Sequence, residues 1–370
     1  MDDLVGMGVT SVTNQTYDDN MTHCDPVDTS VHLFLMPVYT LVFLVGLVLN
    51  SFLVKVYFCS AQQQVSSIMV VYLKNLAASD FVLCLCLPLN IANYTSNSAT
   101  FRLVYCIFGA STFYLNIYAS ILFMGYIAAN RYLKIIHPLR THVLQTVQVA
   151  RIISTVTWVF LLAITTSYIT LFLLTQPELT IVPDICDPLQ SAKVIVFDKI
   201  IHTCSTVTFL FVLVSLVFFY YSASRSVLLA QQRQLSSTSC KRLKKSRRKM
   251  LVLVSVFCIC FVPYHLVSLP YIFLKRMCSL SQVLYYLKEL TMLLSVVNIC
   301  LDPFIYFIFS KAFRAQLRRP HSKKARRHSE GQPKATNNEA LPSTLTSTAL
   351  NHQSGGRSLC RRRFKGLAAM

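Results

Sequence analysis

The chain alternates between long apolar runs, interrupted by single polar side chains, and shorter polar or charged segments. Seven runs stand out, at 32–58, 67–92, 104–135, 150–175, 194–221, 250–274 and 282–309. A helix rising 1.5 Å per residue needs about 20 apolar residues to cross hydrocarbon, and only a helix or a closed barrel satisfies its own backbone there. The runs are continuous rather than alternating, which excludes a barrel. The pattern therefore predicts an all-α membrane protein built as a seven-transmembrane helix bundle over residues 32–309. Beyond it, Phe313 and Leu317 lie four residues apart among Lys311, Arg314, Arg318 and Arg319. That spacing predicts a short amphipathic eighth helix on the membrane surface over 310–320, stopped by Pro320. Residues 1–31 form an arm, and the polar, basic, Ser/Thr-rich stretch 321–370 is expected to be a disordered cytoplasmic tail.

Composition agrees with lipid as the solvent: of 370 residues 54% are hydrophobic and 14% charged, and mean hydropathy is +0.51. Soluble domains carry roughly a quarter charged residues. The net charge of +20 is unevenly placed. The arm holds Asp2, Asp3, Asp18, Asp19, Asp25 and Asp28 and no Lys or Arg, whereas Lys241 to Lys249 is dominated by cations. Cations gather on the cytoplasmic side, so the arm is expected outside, in a multi-pass plasma-membrane protein. The basic segments then face an anionic inner leaflet or a cytosolic protein, and nucleic acid drops out as a partner. The arm lacks the basic start and apolar core of a cleavable signal, so the first helix is expected to direct insertion itself. Asn14 with Thr16, and Asn20 with Thr22, are glycosylation sequons on the arm, and Asn93 with Thr95 is a third beside the second helix.

Among thirteen cysteines none shows zinc-type spacing. Cys84, Cys86, Cys258, Cys260 and Cys300 fall inside apolar runs, where small thiols pack. Cys24, Cys106, Cys186 and Cys278 fall on the expected outer side, where four cysteines allow three pairings. Cys106 with Cys186 would tie a long loop over the bundle and Cys24 with Cys278 would tie down the arm, and free thiols are the alternative.

Polar residues inside the runs need a partner or a wet cavity. Asn50, Asp80, Ser120, Asn298 and Asp302 share mid-depth on helices one, two, three and seven. They could surround one small cation, or the two acids could share a proton. No nucleophile stands with a base and no His-rich ligand set accompanies the acids, so the chain is not expected to be an enzyme. Pro263 and Pro303 break helices six and seven into potential hinges, with Phe257, Phe261 and Tyr306 placed to repack around them. Trp158 reads as packing in helix four.

Together these residues resemble the rhodopsin-like G-protein-coupled receptors. Asn50, the stretch from Leu76 to Asp80, the triplet Asn130, Arg131 and Tyr132, Trp158, Tyr220, the stretch from Cys260 to Pro263, and that from Asp302 to Tyr306 stand at the family's motifs. Asn130 replaces the usual Asp, Phe261 the common Trp, and Asp302 the common Asn. Phe261 and Asp302, with branch-like stretches at 72–75, 132–139 and 260–265, resemble the purinergic receptors for ADP and nucleotide sugars and their orphan and platelet-activating-factor-receptor relatives. The resemblance implies a Cys106–Cys186 disulfide, a sodium site at Asp80, Ser120, Asn298 and Asp302 as the one cofactor site, and a switch built from Asn130, Arg131, Tyr132, Tyr220, Phe257, Phe261, Pro263 and Tyr306. It implies as partners a heterotrimeric G protein, of the Gi class, with receptor kinases and arrestin acting on the tail.

For the ligand, the outer half of the bundle offers Tyr114, Tyr118, His202, His265, Ser268, Tyr271, Lys288 and Glu289. An aromatic shelf with one lysine suits an anionic head group on a flat or greasy body. Tyr114, His265, Tyr271 and Lys288 match nucleotide-contacting positions of the ADP-responsive receptors. Ser268 replaces their phosphate-binding Arg, and His202 and Asp198 replace an Asn and a His. A nucleotide and a lysophospholipid therefore both remain candidates. Two other readings are a transporter or channel using Asp80 and Asp302, and a receptor active without ligand. The last follows from Asn130 and Leu243, which leave Arg131 without its usual acidic restraints.

Overall fold

The computed structural model describes residues 30–59, 67–95, 98–136, 146–175, 186, 190–232, 237–274, 278–310 and 313. Helix α1 spans Val31–Val54 and runs on through a π-helical turn, Lys55–Cys59. Helix α2 spans Ile68–Thr95, and α3 is one rod made of Ala99–Val104, a π turn at Tyr105–Gly109, and Ala110–Ile136. Then come α4 (Val147–Thr175), α5 (Ala192–Gln232), α6 (Ser237–Leu274) and α7 (Cys278–Phe309). All seven are long and apolar enough to cross a membrane.

Two helices outrun the hydrophobic pattern. Helix α5 continues to Gln232 and α6 begins at Ser237, where the apolar runs predict 221 and 250. Hydropathy marks where a helix enters lipid, but Lys, Arg, Leu and Gln are good helix formers and carry the same rods into water. Pro263 lies inside α6 and Pro303 inside α7, and each helix runs on past its proline. Of the expected eighth helix, Ser310 and Phe313 are described. Phe313 is buried, its ring 5.6 Å from that of Phe52 in an edge contact.

Helix α3 is the axis of the bundle, packed against α2, α4, α5, α6 and α7, while α7 closes the ring onto α6 and α1. Outward faces remain apolar: Phe34 of α1 is 82% exposed and Phe211 of α5 73%. In water such faces would be a liability, and in lipid they are the solvated surface.

Close approach replaces hydrophobic drive between helices in hydrocarbon. Gly46 shows it: a Cβ there would meet Ile299 Cδ1 at 2.8 Å and Cys84 Sγ at 3.2 Å. One turn on, Asn50 Nδ2 donates to the Gly46 carbonyl at 2.9 Å and to the Ile299 carbonyl at 3.1 Å, tying α1 to α7. Trp158 Nε1 donates to Asn75 Oδ1 at 2.9 Å and ties α4 to α2. Gly46→Val should therefore push α1 off α7 and cost about 1–3 kcal/mol. Thermal unfolding of the detergent-solubilised protein would show a lowered midpoint, partly restored by adding Ile299→Ala.

Candidate functional site

At one end of the bundle, Cys186 is bonded to Cys106 in the π turn of α3, with 5.6 Å between their Cα atoms. The same turn lays the Tyr105 ring over Gly109, where a Cβ would stand 2.5 Å from ring carbon Cδ2. Single π turns of this kind concentrate at functional sites. Beneath the disulfide a cavity opens among α2, α3, α5, α6 and α7. Cys24 and the Cys278 side chain lie outside the described residues, as do Asn14, Asn20 and the loop ions Asp184, Asp187, Lys275 and Arg276. Asn93, by contrast, lies within α2 and lines the cavity.

Of the expected ligand residues, Tyr114, His202, Ser268, Tyr271, Lys288 and Glu289 line the cavity. Tyr118 and His265 do not, because both turn toward a deeper aromatic layer, edge to face at 6.1 Å. Lys288 is not the isolated cation that its place in the sequence suggests. Its Nζ stands 3.0 Å from Glu289 Oε1, 5.3 Å from the Tyr271 ring and 5.7 Å from the Tyr285 ring. Tyr94 OH donates to the other carboxylate oxygen, Oε2, at 3.0 Å. Adjacent helical residues point about 100° apart and rarely pair. Here Tyr94, reaching across from α2, holds Glu289 where the long lysine can curl onto it. A second pair faces this one: His202 Nε2 lies 3.6 Å from Asp198 Oδ1, and His202 Nδ1 shares a 3.1 Å hydrogen bond with Ser268 Oγ. Tyr114 packs edge-on against His202 at 5.2 Å. Tyr94, Tyr105, Tyr264 and Tyr285 also line the cavity, unpredicted, since a tyrosine in an apolar run carries no mark of the face it occupies.

Deeper in the bundle, Asp80, Ser120, Asn298 and Asp302 are fully buried. Asn298 Nδ2 donates to Asp302 Oδ2 at 3.1 Å. Asn116 Nδ2 donates to Asp80 Oδ1 at 3.2 Å and to Ser79 Oγ at 3.0 Å. Among the described residues, Asp80 Oδ2, Asp302 Oδ1, Ser120 Oγ, Asn298 Oδ1, Asn116 Oδ1 and Asn50 Oδ1 are buried side-chain oxygens of this layer with no hydrogen-bond partner. Buried orphan acceptors call for a cation, a proton or water, and this oxygen-rich set fits a small hard ion. The sequence gives no cue to Asn116 beyond its place one turn before Ser120 on the same face of α3. Asn50 is committed to the α1–α7 tie through its amide nitrogen.

At the opposite end, Arg131 has no carboxylate partner among the described residues, and its Nε has no hydrogen-bond acceptor. Its guanidinium lies 4.9 Å from the centre of the Phe309 ring at the end of α7, and Lys249 Nζ of α6 lies 5.4 Å from the same ring. An aromatic face thus stands where an acid would be expected, joining α3, α6 and α7. Asn130 is buried with its Oδ1 unpartnered, and Tyr132 stacks on Phe219 of α5 at 4.7 Å. Tyr306 packs on Tyr57 at 5.7 Å, while Tyr220 is half-buried on α5 and makes no described contact with Arg131. Below the cavity α5 and α6 share a cluster of rings: His265 stacks on Phe209 at 3.9 Å, Phe209 on Phe257 at 5.7 Å, and Phe257 meets Phe261 at 5.4 Å. Beside Pro263, Ser295 Oγ of α7 donates to the Cys260 carbonyl of α6 at 3.0 Å.

Known proteins are similar to this chain in sequence. The family described as 7 transmembrane receptor (rhodopsin family) matches residues 49–306. Purinoceptor 14 of Bos taurus is 33% identical over 285 residues, covering 75% of this chain and 82% of its own. G-protein coupled receptor 87 of Mus musculus is 30% identical over 312 residues, covering 82% and 84%. Purinoceptor 13 of Homo sapiens is 32% identical over 302 residues, covering 79% and 82%.

The ion pair in the cavity has a consequence for mutagenesis. Lys288→Ala alone strands the Glu289 carboxylate, whose side chain is 7% exposed, and should cost about 3 kcal/mol. Thermal unfolding should place Lys288→Ala well below the wild type and Lys288→Ala/Glu289→Gln most of the way back.

Proposed function

We propose, since this chain belongs to the rhodopsin family of seven-transmembrane receptors, that its cavity takes an extracellular anionic ligand and that its Arg131 end answers by activating a heterotrimeric G protein. The observation that carries this reading is the pairing of a cavity holding Lys288 at one end of the bundle with the cations Arg131 and Lys249 gathered on Phe309 at the other. The chain is not an enzyme. In this reading the disulfide end faces outward and the cationic end the cytosol, where Lys and Arg are retained.

An anion entering the cavity would compete with Glu289 for Lys288 and gain the Tyr271 and Tyr285 faces beside it. Relatives named as purinoceptors favour a nucleotide-like ligand. A lysophospholipid is the second reading, favoured by Ser268, whose hydroxyl is bonded to His202 rather than supplying a phosphate-binding fork. The buried acceptors around Asp80 and Asp302 would hold a sodium ion that ties α2, α3 and α7 in the resting bundle. A ligand shifts such a bundle by binding one arrangement more tightly than the other. Moving α6 away from α7 would break the Ser295 bond to Cys260 and take Lys249 off Phe309, opening the side of Arg131 that faces α6 to a Gi-class α subunit. Tail phosphorylation would then recruit arrestin.

The head-group site is tested by screening nucleotides, nucleotide sugars and lysophospholipids for G-protein activation. An agonist of the wild type should lose at least about tenfold in potency on Lys288→Ala/Glu289→Gln, as one charge-assisted contact implies. An agonist indifferent to that change would rule the site out. The switch is tested without ligand. A cation–π contact worth about 1 kcal/mol makes Phe309→Leu raise basal GTP exchange several-fold, and Asn130→Asp, which supplies Arg131 with an acid, should lower it. Unchanged basal exchange in both variants would exclude the Phe309 restraint.

A further inference from the structure

Between Asp198 and Glu289 the chain has no acidic residue, yet seven of the nine residues from Lys241 to Lys249 are cations. This basic run is helical, part of α6. Among its described side chains the exposed cations are Lys241, Lys244, Lys245 and Arg248. Intervals of three and four residues put these four on one face of the helix, within about 10 Å along its axis at 1.5 Å per residue. The same face continues toward the bilayer centre through Leu251, Ser255, Ile259 and Leu266, all exposed. The opposite face, with Met250, Leu253, Phe257 and Cys260, is buried in the bundle. Arg247 and Lys249 are half-buried, and Lys249 turns onto Phe309. The cationic stripe therefore points where the lipid-facing stripe points, away from the buried face of α6.

Among the described residues these four side chains have no carboxylate partner. The nearest anions available to cations at the rim of a lipid-facing helix are headgroup phosphates, and long flexible stems let Lys and Arg reach them. We infer that Lys241, Lys244, Lys245 and Arg248 form a binding stripe for anionic phospholipid headgroups, anchoring the moving end of α6 to the cytosolic leaflet. A compact ammonium suits a phosphate as a point charge, and three of the four are Lys. This assignment rests on the orientation given above but not on the ligand or on G-protein coupling, so it stands or falls separately.

The test uses the purified full-length protein in detergent, with phosphatidylserine or a phosphatidylinositol bisphosphate titrated against phosphatidylcholine and bound lipid counted by native mass spectrometry. The wild type should retain both anionic lipids in preference, and the preference should fall as ionic strength rises. Lys241→Gln/Lys244→Gln/Lys245→Gln/Arg248→Gln should weaken it at least about tenfold, given the attraction each cation contributes. A control losing the same charge, Lys323→Gln/Lys324→Gln/Arg326→Gln/Arg327→Gln, should stay within about twofold of wild type. Should the fourfold stripe variant fail to fold, Lys244→Gln/Lys245→Gln should still lower the preference several-fold. Equal losses in stripe and control would mean diffuse charge and overturn the site, as would no loss in either. Impaired G-protein activation with unaltered lipid preference would reassign the stripe to a cytosolic protein.

Discussion

Every polar side chain placed inside hydrocarbon must be answered by another part of the chain, since no bulk water is there to do it. The arrangement of α1, α2, α3 and α7 follows from that demand. Asn50 bonds two carbonyls on two helices, Asn116 reaches from α3 to Asp80 and Ser79 on α2, and Asn298 bonds Asp302 one turn away on α7. Apolar packing around these groups is dense, with Leu73, Leu76, Ala77 and Phe123 fully buried. Yet packing alone is indifferent to rotation of a helix in lipid, and the polar bonds set the register.

The acceptors left over are as telling as the bonds made. Asp80, Asp302, Ser120, Asn298 and Asn116 each keep a buried oxygen with no donor among the described residues, and such acceptors suit a cation, a proton or water. The ends share this character. Lys288 and Glu289 are partners that a stronger anion can separate, and Arg131 rests on an aromatic face rather than in a bidentate salt bridge. Cation–π contact is worth less than a desolvated ion pair, so the Arg131 end is held more loosely than an acid would hold it.

Seven spans, their limits in lipid and the mid-depth polar layer are legible from the residues because hydropathy and helical period report them directly. The disulfide is one of several pairings until resemblance singles it out, and the structure joins Cys106 to Cys186. Local sequence is silent where a side chain's fate depends on a distant helix. Lys288 stands in the sequence as a lone cation because nothing local reveals Tyr94 drawing Glu289 toward it. Depth along the helix puts Tyr118 and His265 in the cavity, but a quarter-turn of helix separates lining a cavity from packing beneath it.

What the amino-acid order determined by itself was the solvent of each segment: which residues lie in lipid, which end gathers cations, and where polar atoms must be buried. These are one-dimensional properties, set by transfer free energy along the chain. Tertiary structure decided which of those atoms meet. Pairing Arg131 with Phe309, Lys288 with Glu289 and Asn116 with Asp80 depends on helix rotation and separation, fixed by close packing across the whole bundle, and no local stretch of sequence carries that information.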